Sequence, residues 1–192
     1  MTGIKVCIIT IFFTAIYVAG TILLSNLFFY EKSNGSLCKV NNKIIGSRLI
    51  GQEFKSNLYF QGRPSLYNYK NNISGNSNLP YYSNELKNTV NKNRFDFLNQ
   101  NNQTKPDLNL ITQSASGLDP QITYEGALSQ VNRIANTSGI SKEILTSLIK
   151  QNSKSLAFEL FGQKIVNVLE LNLELTKILR SSKNTLKQKG SA

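Results

Sequence analysis

From Val6 to Tyr30 the chain carries no charged residue, and most positions are Ile, Leu, Val, Phe or Ala. No other stretch restricts the possible structures as strongly. A helix needs about 20 predominantly apolar residues to cross the hydrocarbon of a bilayer. Lys5 stands just before the run, Glu31-Lys32 close it, and Phe28, Phe29 and Tyr30 suit an interfacial aromatic belt. A cleaved signal peptide is the competing reading: its apolar region covers about 7–15 residues and ends at small residues. Tyr17-Val18-Ala19-Gly20 offers such a site. The run continues from Thr21 through Tyr30, however, so an uncleaved anchor over residues 6–30 is expected. Charge leaves its orientation open, because long domains translocate largely regardless of charge.

The remaining residues offer little reactive chemistry. Histidine is absent from the 192 residues, which removes the commonest general base and metal ligand. Cys7 and Cys38, the two cysteines, fall near opposite ends of the expected span, too far apart for a disulfide. Neither a zinc site nor a cysteine–histidine enzyme is expected, and no metal site is assigned. The formal charge is +11, but the lysines are scattered and no RNA-binding or helix-turn-helix signature accompanies them. A solvated basic surface, or one facing anionic lipid, is expected rather than nucleic-acid binding. No Gly-x-x-x-x-Gly-Lys phosphate loop, no Asp-Lys-Thr-Gly phosphorylation motif and no acid/base carboxylate pair occurs. Glu170 and Glu174, one helical turn apart, read as a solvated face.

After the apolar run, Asn34-Gly35-Ser36-Leu37 is a turn, and Val40 to Ile45 suggests a short strand or hairpin around Asn41-Asn42. Asn57 to Gly62 looks like most of an engineered viral-protease cleavage site, with Ser56 where that site needs Glu. Coincidence is the better account, although an accessible loop there could be cut weakly. Arg63-Pro64 combines a planar five-donor fork with a stiff backbone. Either Arg63 pins its own loop or it contacts a partner. From Tyr67 to Gln103 the chain is dense in Asn, Ser, Lys and Tyr, which reads as compositional drift. Glu85 to Leu98 suggests a helix with weak apolar positions at Leu86, Val90, Phe97 and Leu98, and Leu108 to Ile111 a short strand.

The stretch from Ser114 to Ile140 is the most ordered part of the remaining sequence. Gly117 permits a tight turn, Asp119 can bond nearby amides, and Pro120 fixes φ. Ile122 and Thr123 read as N′ and N-cap of a helix, with Ala127 placed for a hydrophobic staple. One helix is expected from there, carrying Leu128, Val131, Ile134 and Ala135 and ending at Ser138-Gly139. Ser141 caps a second helix, stapled by Ile140 and Leu145, with Ile144, Leu148 and Ile149 on its apolar face. Phe158, Leu160 and Phe161 are further core candidates. Val166 to Leu173 fits a strand by alternation, but Asn167 with Glu170 resembles a capping box and Val166 with Leu171 a staple, so helix is favoured. Ser181 to Ala192 is expected to fray.

Three blocks of this sequence resemble, in order, the C chain of the Kdp-type potassium-transporting P-type ATPases. The first holds Gly46-Ser47, Leu49-Ile50-Gly51-Gln52, Phe54 and Tyr59-Phe60-Gln61-Gly62-Arg63-Pro64-Ser65, followed by Ser74-Gly75-Asn76-Ser77-Asn78-Leu79. The second holds Ser114-Ala115-Ser116-Gly117-Leu118-Asp119-Pro120, Gln130-Val131, Arg133-Ile134-Ala135 and Gly139-Ile140-Ser141. The third runs from Val166 to Leu173. Asn76 stands where the family has glycine, and asparagine is the most tolerable substitute at positive φ. Pro80-Tyr81 replaces the usual Gly-Pro.

The resemblance covers Asn34 to Leu175 plus the anchor. It implies a mixed α/β (α+β) extracytoplasmic domain on a single N-terminal transmembrane helix in the bacterial inner membrane. The divisions are then a cytoplasmic N-terminus 1–5, the helix 6–30, the outer domain 31–180 and a flexible tail 181–192. It implies a non-catalytic subunit that assembles and stabilises an ATP-driven potassium uptake complex. The implied partners are a channel-like A subunit, an ATP-hydrolysing B subunit, a small F subunit and membrane lipid. The alternative is a catalytic chaperone that raises the pump's affinity for ATP. In that role Gln130 is the nucleotide-binding candidate and ATP the one cofactor raised, none being bound firmly. ATP is cytoplasmic and the domain is expected outside, which favours assembly. Arg63, Pro64, Ser65, Ser116, Gly117, Asp119 and Arg133 are the motif or subunit-contact candidates.

Overall fold

The computed structural model describes residues 2–157 and 161–189. They divide into two units, Met1–Ser47 and Arg48–Ala192.

In the first unit, helix α1 (Thr2–Phe28) is long and apolar enough to cross a membrane. Two of its hydroxyls are satisfied internally, which hydrocarbon surroundings favour: those of Thr10 and Thr14 donate to the carbonyls of Val6 and Thr10 at 2.9 and 2.8 Å. A short helix α2 (Tyr30–Ser33) follows, then strands β1 (Leu37–Val40) and β2 (Lys43–Ser47), paired antiparallel. Asn41 and Asn42 sit at φ 50° and 63°, the two left-handed positions of a type I′ hairpin turn. The expected hairpin is therefore present.

The second unit wraps helices around a small antiparallel sheet. Helix α3 (Asn84–Gln100) lies where the helix over residues 85–98 was expected. Strand β3 (Gln121–Thr123) leads into α4 (Tyr124–Leu128), α5 (Val131–Ser138) and α6 (Lys142–Asn152). Strands β4 (Ser153–Ala157) and β5 (Phe161–Asn167) precede helix α7 (Val168–Lys189). The sheet order is β3-β5-β4, with Ile122 opposite Val166 and Lys154 opposite Ile165. Phe60, Ile122, Ile134, Leu145, Ile149, Val166, Leu171 and Leu175 are almost wholly buried in the core between sheet and helices.

Local signals set most element ends. The Thr123 hydroxyl accepts from Gly126 N–H at 2.9 Å, capping α4, and Gly139 closes α5 at φ 73°. Asn167 Oδ1 accepts from Glu170 N–H at 3.1 Å. Only that half of the capping box forms, because the Glu170 carboxylate pairs with Arg48 at 2.7 Å instead. Ser141 takes the N-cap position of α6 without a capping bond from its hydroxyl, while Ile140 and Leu145 are both buried there.

Three expectations need correction. Leu108–Leu110 is a 3-10 turn rather than a strand, with Asp107 accepting from Asn109 N–H at 2.9 Å. The single helix expected after Thr123 is two. The Ser129 hydroxyl takes the Gly126 carbonyl at 2.8 Å, where a continuing helix would place Gln130 N–H, and that N–H turns to Ala127 O instead. In the loop over residues 74–79 the left-handed asparagine is Asn78, at φ 52°, not Asn76. The helix favoured here holds from Val168, where α7 starts and takes in all of the alternating leucines, while Val166 and Asn167 close β5. The core role expected of Phe158, Leu160 and Phe161 falls on side chains outside those described, and α7 continues into the expected tail as far as Lys189.

Candidate functional site

The segment from Asn57 to Gln61 has no strand partner, yet its backbone is paired almost as in a sheet. The partners are side chains. Asn172 on α7 brackets Phe60, its Oδ1 accepting from Phe60 N–H at 2.8 Å and its Nδ2 donating to Phe60 O at 2.9 Å. Gln130, between α4 and α5, brackets the next residue: Oε1 accepts from Gln61 N–H at 2.8 Å and Nε2 donates to Gln61 O at 3.0 Å. With its neighbours so held, the Phe60 ring is fully buried. Each bracket satisfies a donor and an acceptor that burial would otherwise leave costly.

Arg133 completes the clasp. One turn past Gln130, it donates to Gln130 Oε1 at 2.8 Å, to Asn57 O at 2.6 Å and to Tyr59 O at 3.0 Å. Its Nε donates to Asn101 Oδ1, at the end of α3, at 2.9 Å. Arg133 is 3% exposed, and its guanidinium meets no carboxylate at ion-pair distance among the described residues. Burial alone pushes its pKa down to about 10, so it remains charged at neutral pH. Gln130 is 0% exposed, and both its amide atoms are occupied within the chain.

The other candidates gather in a second cluster, where three loops meet. Arg63 donates to Asp119 Oδ2 at 3.2 Å and to Gln113 O at 3.1 Å, reaching a loop 56 residues away in sequence. Asp119 also accepts from Gln121 N–H at 2.9 Å, which sets the turn into β3. Ser116 O receives Gly75 N–H at 2.9 Å and the Ser74 hydroxyl at 3.1 Å, and Leu118 O receives Gly51 N–H at 2.7 Å. Gly117 adopts φ 67°, where an added Cβ would stand 2.8 Å from Gly75 O. The Ser65 hydroxyl accepts from Tyr69 N–H at 3.0 Å, and the Tyr69 phenol donates to Arg63 O. Burial, then the carboxylates of Glu53 and Asp119, push the Tyr69 phenol up to about 12. Pro64 is half-buried on the wall of an open polar cleft of about 480 Å³, which Glu53, Tyr69, Asn93 and Asp96 also line.

The eight sequence candidates thus fall into two groups. Arg63, Pro64, Ser65, Ser116, Gly117 and Asp119 lie at the loop junction, and Gln130 with Arg133 at the clasp. Chemically, both arrangements hold backbone in place. Arg63 ties two loops distant in sequence rather than only its own. Sequence reasoning missed Asn172, Asn101 and Tyr69. Asn172 had a visible signal: it lies four residues after Val168 and three before Leu175, a polar residue on the apolar side of α7.

Comparison with known proteins agrees over most of the chain. The family model described as the K+-transporting ATPase c chain matches residues 2–177. The potassium-transporting ATPase KdpC subunit of Bacillus cereus strain G9842 is 42% identical over 154 residues, covering 78% of this chain and 80% of its own. The protein of that name from Clostridium kluyveri is 38% identical over 172 residues, covering 81% and 82%. That from Caldanaerobacter subterraneus is 36% identical over 163 residues, covering 83% and 84%. The chain therefore belongs to the family of the potassium-transporting ATPase C chain, KdpC.

Proposed function

We propose that this chain is the non-catalytic C subunit of an ATP-driven potassium uptake complex, and that it acts by assembling and stabilising the pump. In this reading α1 anchors it in the bacterial cell membrane with the N-terminus inside and the Arg48–Ala192 unit outside. The outer unit rests on the channel-like A subunit, with the ATP-hydrolysing B subunit and the small F subunit in the same complex. One observation carries the choice of mechanism. Gln130, the residue that a nucleotide-contacting role would use, is fully buried and bonded through both amide atoms to Gln61. Contact with an adenine or ribose would require breaking both bonds and uncovering the Phe60 pocket. A side chain committed in this way serves the fold better than a transient ligand.

The test is purification of the complex from potassium-starved cells carrying Gln130→Ala or Asn172→Ala. Both substitutions cut the same clasp, but only Gln130 is a nucleotide candidate. Under the assembly role both variants lower the yield of complex, while the KM for ATP of whatever complex forms is unchanged. A raised KM for ATP with Gln130→Ala alone, at full yield, would overturn it in favour of an ATP-affinity chaperone. So would a chain that elutes alone from cells shown to express the other subunits.

A further inference from the structure

We infer that the β1–β2 hairpin is a lipid-binding element that lies on the headgroup layer of an anionic bilayer at the end of α1. This rests on the reading of α1 as a membrane span. The hairpin is fastened to that helix end. The Ser33 hydroxyl and the Asn34 amide both donate to Asn26 Oδ1 of α1 at 3.3 Å, and the Ser47 hydroxyl at the foot of β2 donates to Gly35 O at 2.7 Å. At 27 residues α1 is about 40 Å long, against about 30 Å of hydrocarbon. Its last turn, which carries Asn26, therefore reaches the headgroup layer, with whatever is bonded to it.

The exposed residues of the hairpin suit that layer. Leu37 is 44% and Ile44 55% exposed, apolar surface that the headgroup layer can cover. Lys39 pairs with Ile44 across the strands, so both side chains share one face, and exposed Lys43 follows the turn. A lysine stem can lie along Ile44 while its ammonium reaches a phosphate. Lys32 stands 5.9 Å from the Phe29 ring centroid, again a cation beside an interfacial aromatic. Residues 31–47 hold Lys32, Lys39 and Lys43 against the single acid Glu31, a net charge of +2. That charge selects anionic headgroups over zwitterionic ones.

The experiment uses the full chain in vesicles of phosphatidylcholine with and without phosphatidylglycerol. A Cys7→Ser background leaves Cys38, which is buried, as the remaining native thiol. A fluorophore is placed at Ile44→Cys or, separately, at Leu23→Cys, and quenched by nitroxides on lipid headgroups or acyl chains. The expected result is headgroup quenching at position 44 that rises with phosphatidylglycerol and falls by roughly half or more in the Lys39→Glu/Lys43→Glu double variant. Quenching at position 23 from the acyl chain without quenching at position 44 overturns the inference and leaves the membrane span standing. Quenching at 44 that ignores phosphatidylglycerol and the charge reversal overturns the anionic assignment. An unquenched position 23 overturns the membrane reading, and the inference with it.

Discussion

Gln130 and Gln61, 69 residues apart in sequence, are joined as two strands would be, one side-chain amide facing one backbone amide through bonds of 2.8 and 3.0 Å. Asn172 repeats the arrangement on Phe60 from a different helix, 112 residues away. Two carboxamides thus stand in for a missing strand. They let an irregular segment enter the core without leaving its polar groups unpaired.

Removing either bracket should be costly. Gln130→Ala and Asn172→Leu each leave a buried N–H and C=O without partners, and a loss of about 2–4 kcal/mol is expected for each. Because both act on adjacent residues, the double variant should lose less than the sum. Urea unfolding of the full chain in detergent measures all three. Losses under about 0.5 kcal/mol would mean that water replaces the brackets easily.

The Asn57–Gly62 sequence turns the clasp into a stability probe. The stretch is not an accessible loop, since Phe60 is fully buried and the Gln61 backbone is held at both ends. The viral protease whose site this stretch resembles should leave the folded chain intact and cut after Gln61 only as urea opens it. The cleaved fraction should follow the unfolded fraction. Rapid cutting without urea would show that the segment opens locally.

Tyr69 should give the fold an alkaline weakness. Its phenol is raised from 10.0 in an unfolded chain to about 12, so between those values the unfolded state has lost a proton that the folded state keeps. Stability is fully present below pH 10 and falls as pH rises toward 12, by about 2 kcal/mol from this group. Arg133 contributes with the opposite sign, since its lowered pKa adds stability only above about 10. Tyr69→Phe should therefore cost about 1 kcal/mol at neutral pH yet flatten the alkaline decline. Urea midpoints measured from pH 8 to 11 in both chains decide this. An equally steep decline without the phenol would exclude Tyr69 as its source.

Two glycines at similar φ should respond differently to alanine. Gly139, at φ 73°, has open space around the missing Cβ, and Gly139→Ala should cost only about 1 kcal/mol for the left-handed backbone. At Gly117 the added methyl also meets the carbonyl of Gly75 at 2.8 Å, a backbone atom that cannot swing aside. Gly117→Ala should cost at least about 2 kcal/mol. Thermal melts of the two variants rank them, and equal melting temperatures would mean that the loop over residues 74–79 yields freely.

What the sequence by itself determined was local. A run of 25 uncharged residues demands a helix wherever lipid surrounds it, and Asn41-Asn42 selects a hairpin turn from its own backbone preferences. Thr123, Gly139 and Asn167 mark helix ends through atoms within a few residues of them. The motif order also carried the family. The sheet was not legible, because Ser153–Ala157 and Phe161–Asn167 mix Lys, Ser, Gln and Gly with few apolar residues and become strands only by pairing. The break between α4 and α5 was hidden for a related reason: one serine hydroxyl competes for one carbonyl, and Gln130 is then held by a segment 69 residues away. Tertiary structure alone decided whether Gln130 and Arg133 face solvent or the chain itself. A polar side chain on a helix advertises its chemistry in the sequence, but its partner is chosen only when distant backbone arrives unpaired beside it.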